Sequence, residues 1–123
     1  MSAKGTFEVS LDPQTDEGFA AGRMLIDKTY AGDIVGRGVG QMISKRIEQG
    51  AAVYFAVEEF SGTVMGKNGT FTLIHKGHMD RDSAAMDVAI LEGSGSDELS
   101  GISGSMIIAQ NDDGHSYELK YEL

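Results

Sequence analysis

The chain has 123 residues, no cysteine, one proline, 17 glycines and a formal net charge of −9 from 10 basic and 19 acidic side chains. That length is one domain spanning residues 1–123, and 41% apolar residues suffice for one core, since such chains bury roughly two-thirds of their unfolded surface. The missing cysteines exclude a disulfide scaffold, a thiolate metal site and a cysteine nucleophile, and the scattered cations exclude nucleic acid and anionic membranes as partners, because both need clustered Lys and Arg.

No secretory apolar run lies between Met1 and Thr15, and no stretch approaches the ~18 apolar residues of a membrane helix, so the expected location is the cytoplasm. From there the pattern is period two between turn-forming clusters, the signature of half-buried strands. Thr6 to Leu11 alternates, followed by a polar loop around Pro13 from Asp12 to Phe19. Further strands are expected at Gly22 to Tyr30, Ile34 to Arg46, Ala52 to Val64, Thr70 to Met79, Ala84 to Glu92 and Ile102 to Gln110. Ser116 to Leu123 closes the series, with Tyr117, Leu119, Tyr121 and Leu123 on one face. Turn chemistry separates them at Ala31-Gly32-Asp33, Lys67-Asn68-Gly69, Asp80-Arg81-Asp82-Ser83 and Asn111-Asp112-Asp113-Gly114. Between Ser94 and Gly101, Ser96 is positioned to cap a short helical turn led by Asp97 and Glu98.

About eight antiparallel strands in a chain of this length form a sandwich or a closed up-and-down barrel. The short connections favour the barrel, because a Greek-key sandwich needs long crossings. Its interior is just wide enough to be packed solid or to hold one small ligand. Gly36, Gly38 and Gly40 fall on one face of one strand and point to sharp coiling or to close approach of a neighbouring chain segment.

The chemistry concentrates on one hairpin. Glu58 and Glu59 are adjacent, so they point to opposite faces, and Tyr54, Ala56, Glu58 and Phe60 alternate with Phe55, Val57 and Glu59. A turn at Lys67-Asn68 or at Asn68-Gly69 puts the even-numbered set on the same side as Phe71, Leu73, His75, Gly77 and Met79, which is apolar and therefore inward. Glu58 and His75 thus share the interior. The first turn makes them diagonal neighbours, about 7–8 Å between backbones across the ladder, whereas the second separates them. A carboxylate and an imidazole inside an apolar barrel suit acid–base work on a bound molecule; the competing role is structural, tied to tyrosine hydroxyls or backbone. Tyr54, Tyr117 and Tyr121 face the same interior as packed rings or as proton donors.

Other patterns carry less. His75 and His78 lie on opposite strand faces and cannot grip one ion, and Asp80 with Asp82 lacks the rest of a calcium loop, so no metal is expected. The Gly93-to-Glu98 segment has two carboxylates where a phosphate would sit and no Walker lysine, so it is a structural corner. No nucleophile elbow surrounds any serine, and no motif calls for a cofactor.

Four spaced motifs carry a resemblance: Tyr54-x-Ala56-x-Glu58; Gly69-x-Phe71-x-Leu73-x-His75-x-Gly77-x-Met79; Gly93-Ser94-Gly95-x-x-Glu98-Leu99-x-Gly101-Ile102-x-Gly104; and His115-Ser116-Tyr117-x-Leu119-x-Tyr121-x-Leu123. Over most of its length the chain resembles an uncharacterised bacterial family, domain of unknown function number 3224. The resemblance implies a barrel similar to that of allene oxide cyclase, itself reminiscent of lipocalins, and singles out Glu58 over Glu59 and His75 over His78. Asp97 departs from the family's usual glycine. The family carries no assigned activity, and likeness of barrel does not transfer catalytic residues.

The expectation is therefore a barrel that binds a small, largely apolar molecule against Tyr54, Phe60, Phe71, Leu73, Tyr117 and Tyr121. As an enzyme it would be a cofactor-free isomerase or cyclase with Glu58 as base and His75 as acid or orienting partner. The rival is a packed module that assembles into a homo-oligomer through outward Phe55 and Val57.

Overall fold

The computed structural model describes all 123 residues. Eight antiparallel strands follow one another around a closed barrel: β1 (Ser2–Gln14), β2 (Gly22–Gly32), β3 (Ile34–Arg46), β4 (Ala52–Val64), β5 (Lys67–Met79), β6 (Ala84–Ile90), β7 (Ser103–Asn111) and β8 (Gly114–Glu122), with β8 pairing back onto β1. This is the all-β up-and-down barrel that the alternation and short connections imply. β3 and β4 begin and end where their patterns do. No helix is long and apolar enough to cross a membrane.

Three local expectations are corrected. β1 runs through Pro13, which pairs with Met24, instead of breaking into a loop at Asp12. β8 reaches only Ser2–Phe7 of β1, so Pro13 lies where the strand has a neighbour on one side alone and its missing N–H breaks no ladder.

The β4–β5 turn is Met65-Gly66, both left-handed at φ 50° and 83°, and not Lys67-Asn68 or Asn68-Gly69. Asn68-Gly69 imitates a hairpin signal, but Gly69 is a packing glycine: the Ser96 carbonyl oxygen and the Leu99 side chain occupy the space a Cβ would take. The pairing is therefore Phe60 opposite Phe71, Glu58 opposite Leu73 and Ala56 opposite His75. Because the shift is by an even number of residues, every side chain keeps its expected face.

Ser96 precedes the expected helical turn, a single 3-10 turn at Asp97–Leu99, but its hydroxyl caps nothing. It bonds instead to the Thr70 amide and hydroxyl of β5, while Ser94 accepts the Thr72 amide. β6 pairs in register with β7 at one position alone, Ala89 with Ser105. The 91–102 segment, hydrogen-bonded along β5, fills the gap they leave.

Inside, the two ends differ. Toward one end, Ile34, Phe60, Val64, Phe71, Leu99, Ile102 and Leu119 are essentially inaccessible and form one cluster. Phe60 stacks on Phe71 at 4.8 Å between centroids, and Tyr30 meets Phe60 edge-on at 5.6 Å. At the other end, inward-pointing apolar residues remain open to solvent: Leu11 is 48% exposed, Met79 40% and Met86 49%, and Met24 and Met42 are half-buried. The barrel is packed solid at one end and opens as a methionine-lined mouth at the other.

Candidate functional site

A buried polar cluster sits where the packed half meets the mouth. β2 brings Lys28 and Tyr30 inward in phase with Ile26, β4 brings Glu58 and β5 brings His75. Glu58 is wholly inaccessible. Its Oε1 accepts hydrogen bonds from Lys28 Nζ at 2.9 Å and His75 Nε2 at 2.8 Å, and its Oε2 accepts from the Tyr30 hydroxyl at 2.5 Å. Lys28 also lies 4.8 Å from the Phe7 ring centroid, so the ammonium is held by a carboxylate and by an aromatic face. No buried side-chain nitrogen or oxygen lacks a partner.

Gly38 makes this cluster possible. The Glu58 carboxylate occupies the space where a Gly38 Cβ would be, whereas at Gly36 and Gly40 the obstacle is the backbone of β4. The three glycines thus allow the close approach read from the sequence at positions 36 and 40 and give side-chain room at position 38. Gly77 is the counterpart at the mouth, with the Tyr54 ring laid over it.

The electrostatics set the protonation of the cluster. Burial alone would push the Glu58 carboxyl up. The His75 hydrogen bond, the Lys28 charge and the Tyr30 hydroxyl outweigh it and hold the group down at about 2, against an ordinary 4.5. Burial, reinforced by the Glu58 charge, pushes the Tyr30 hydroxyl far above its usual range, so it stays protonated and donates. Since an ionised carboxylate only accepts, His75 Nε2 carries a proton. Glu58, with three donors on it and a low affinity for protons, is a fixed anion and a poor base.

The ionised state of Glu58 is favoured by folding, so its stabilisation is full above about pH 4.5 and lost as pH falls towards 2. The difference corresponds to about 3 kcal/mol. Urea denaturation of the wild type and Glu58→Gln should show the gap between them narrowing over that interval. Parallel pH profiles would contradict it.

The other expected site residues divide. The structure unites Glu58 and His75 on neighbouring strands and sets Tyr54 at the mouth. Phe60, Phe71, Leu73 and Tyr121 lie in the packed half. The Tyr117 hydroxyl is committed to backbone, accepting the Ile34 amide at 2.8 Å and donating to the Ala31 carbonyl at 2.9 Å. Lys28 and Tyr30 are the members that sequence reasoning missed. The signal was a lysine in phase with inward Ile26 and Tyr30, the same kind of anomaly that marks Glu58.

The family model described as protein of unknown function (DUF3224) matches residues 3–121. The chain belongs to the DUF3224 family. A crystal structure of a DUF3224 protein of unknown function from Shewanella oneidensis MR-1 is similar over 100% of this chain and 96% of that one, with 31% identity and a TM-score of 0.90. Among curated proteins none matches this DUF3224 chain.

Proposed function

We propose that this DUF3224 barrel binds a small, largely apolar molecule in its open mouth, as a soluble cytoplasmic protein. The observation that carries the proposal is the asymmetry of the interior. Apolar side chains pointing inward are buried at one end and exposed at the other, above a floor of polar groups gathered on the Glu58 carboxylate. Exposed inward-facing apolar surface needs an occupant, and flexible methionines suit one of loose shape. A cofactor-free isomerase or cyclase step, the reaction class suggested by likeness to the allene oxide cyclase barrel, fits the same place, with the buried His75 imidazole at its inner end.

The test uses the neutral fluorescent probe N-phenyl-1-naphthylamine. Its emission should rise on addition of protein and saturate at about one probe per chain. Met86→Glu, which places a charge in the mouth, should weaken binding at least about tenfold, the effect of 1.4 kcal/mol. Equal binding by the wild type and Met86→Glu would remove the mouth as the site.

A second reading has its own observation. Leu25, Val39, Ile43, Phe55, Val57 and Ile74 point outward on adjacent strands β2–β5 and are 36–52% exposed. With Gln41 they line about half of an open concavity of about 920 Å³, whose lining also takes in Asp27, Glu59 and the inward-facing Ile26, Ala56 and His75. Contiguous exposed apolar surface marks interaction sites, and a second copy of the chain is the occupant this reading names. Sedimentation velocity should then show a dimer or higher oligomer that Phe55→Glu dissociates without loss of probe binding. A monomeric wild type at micromolar concentration would dismiss it.

A further inference from the structure

His75 has a free side. Its Nε2–H is committed to Glu58, so in the neutral ring Nδ1 is a bare acceptor. Nδ1 makes no hydrogen bond within the protein, and since every fully buried side-chain nitrogen and oxygen has a partner, Nδ1 remains open to contact although the residue is only 6% exposed. Along β5 the ring stands between Leu73, opposite Glu58 in the packed half, and Gly77, where Tyr54 and Met86 begin the mouth. A buried ring anchored on its inner side, with an unpartnered acceptor, is built to meet something that enters from the mouth.

We propose that His75 Nδ1 is the polar recognition point of the mouth and that the ligand is an amphiphile whose inner end carries a hydrogen-bond donor, a hydroxyl above all. This rests on the mouth being the binding site. Lys28, Tyr30 and Glu58 act on it only through His75: Glu58 fixes which nitrogen holds the proton, and Lys28 with Tyr30 fixes Glu58. The ligand's apolar body lies against Tyr54 and the methionines. An aliphatic or aromatic alcohol fits this description; a hydrocarbon or an ether of the same shape lacks the donor and leaves Nδ1 unpaired on burial, which is the costly arrangement.

The pair 1-naphthol and 1-methoxynaphthalene isolates the donor, because the two share the ring system and differ by one methyl on the oxygen. By calorimetric titration 1-naphthol should bind wild-type protein about tenfold more tightly than the ether, and His75→Phe should bring the two to parity. Should His75→Phe fail to fold, nitrogen-15 spectra of the wild-type histidine rings give the answer without a variant. They should show His75 protonated on Nε2 and bare on Nδ1, with Nδ1 shifting when 1-naphthol is added. Equal affinities for the two probes, or a proton on Nδ1 in the free protein, would overturn the assignment and leave mouth binding intact. Failure of both naphthalenes and of N-phenyl-1-naphthylamine to bind would overturn the assignment and the mouth together.

Discussion

Replacing Glu58 with glutamine is expected to cost about 3–5 kcal/mol of folding free energy, the range for breaking one side of a buried ion pair. The amide leaves Lys28, itself only 6% exposed, without a counter-charge. It also turns one of the two acceptor oxygens into a donor, so that at least one of the hydrogen bonds from Lys28, Tyr30 and His75 loses its acceptor. The ammonium lies inside the barrel, over the Phe7 ring and against position 58, and is shut off from water there. A buried pair is often no better than two apolar residues of similar volume, however, and that makes the prediction specific. Adding Lys28→Met to Glu58→Gln should recover at least half of the loss. Urea denaturation of the four proteins in the cycle gives the coupling directly. A Glu58→Gln cost below about 1 kcal/mol, or a double variant at the sum of the single losses, would mean that the two groups are not paired.

Gly38→Ala is the second large effect. One methyl on β3 should destabilise by about 3 kcal/mol, more than an alanine for glycine costs or gains at an ordinary strand position. The added Cβ falls on the Glu58 carboxylate, so either the carboxylate leaves Lys28 or the two strands part. Since Gly38 pairs with Phe60 and with Lys28 across its two ladders, neither movement stays local. The same substitution in a Glu58→Ala/Lys28→Met background should be close to neutral, because the obstacle is then absent. Gly40→Ala provides the contrast: its obstacle is the Val57 carbonyl and the Glu58 backbone, so its cost should persist in that background. Chemical denaturation of the paired variants measures both, and a Gly38→Ala penalty unchanged by the removal of Glu58 would refute the steric account.

These two substitutions mark how far the sequence could be read. Alternation carried the barrel, the strand order and the inward direction of Glu58 and His75, because one face of each strand must be apolar and a charge in that set stands out. It did not carry the register. Asn68-Gly69 outbids Met65-Gly66 as a turn on local chemistry, and only the packing of Gly69 against Ser96 and Leu99 reverses the order. Glu58 and His75 meet nevertheless, since with Leu73 opposite Glu58 the histidine is again two residues along, on the other diagonal. Lys28 is hidden in the sequence because a lysine in phase with the apolar positions of β2 reads as an interruption until its partner on β4 is known. The open mouth was beyond reach for another reason. Alternation reports which way a side chain points, not whether anything lies opposite it, and Leu73 and Met79 have the same phase with opposite exposure.

The central claim, a floor of paired charge beneath an apolar mouth that holds a ligand, is tested most directly by methyl spectra of methionine-labelled protein during titration with N-phenyl-1-naphthylamine. The methyls of Met24, Met42, Met79 and Met86 should shift in a saturable way, while that of Met106, 5% exposed in the packed half, stays in place. Saturable probe binding that moves none of the four mouth methyls would contradict it.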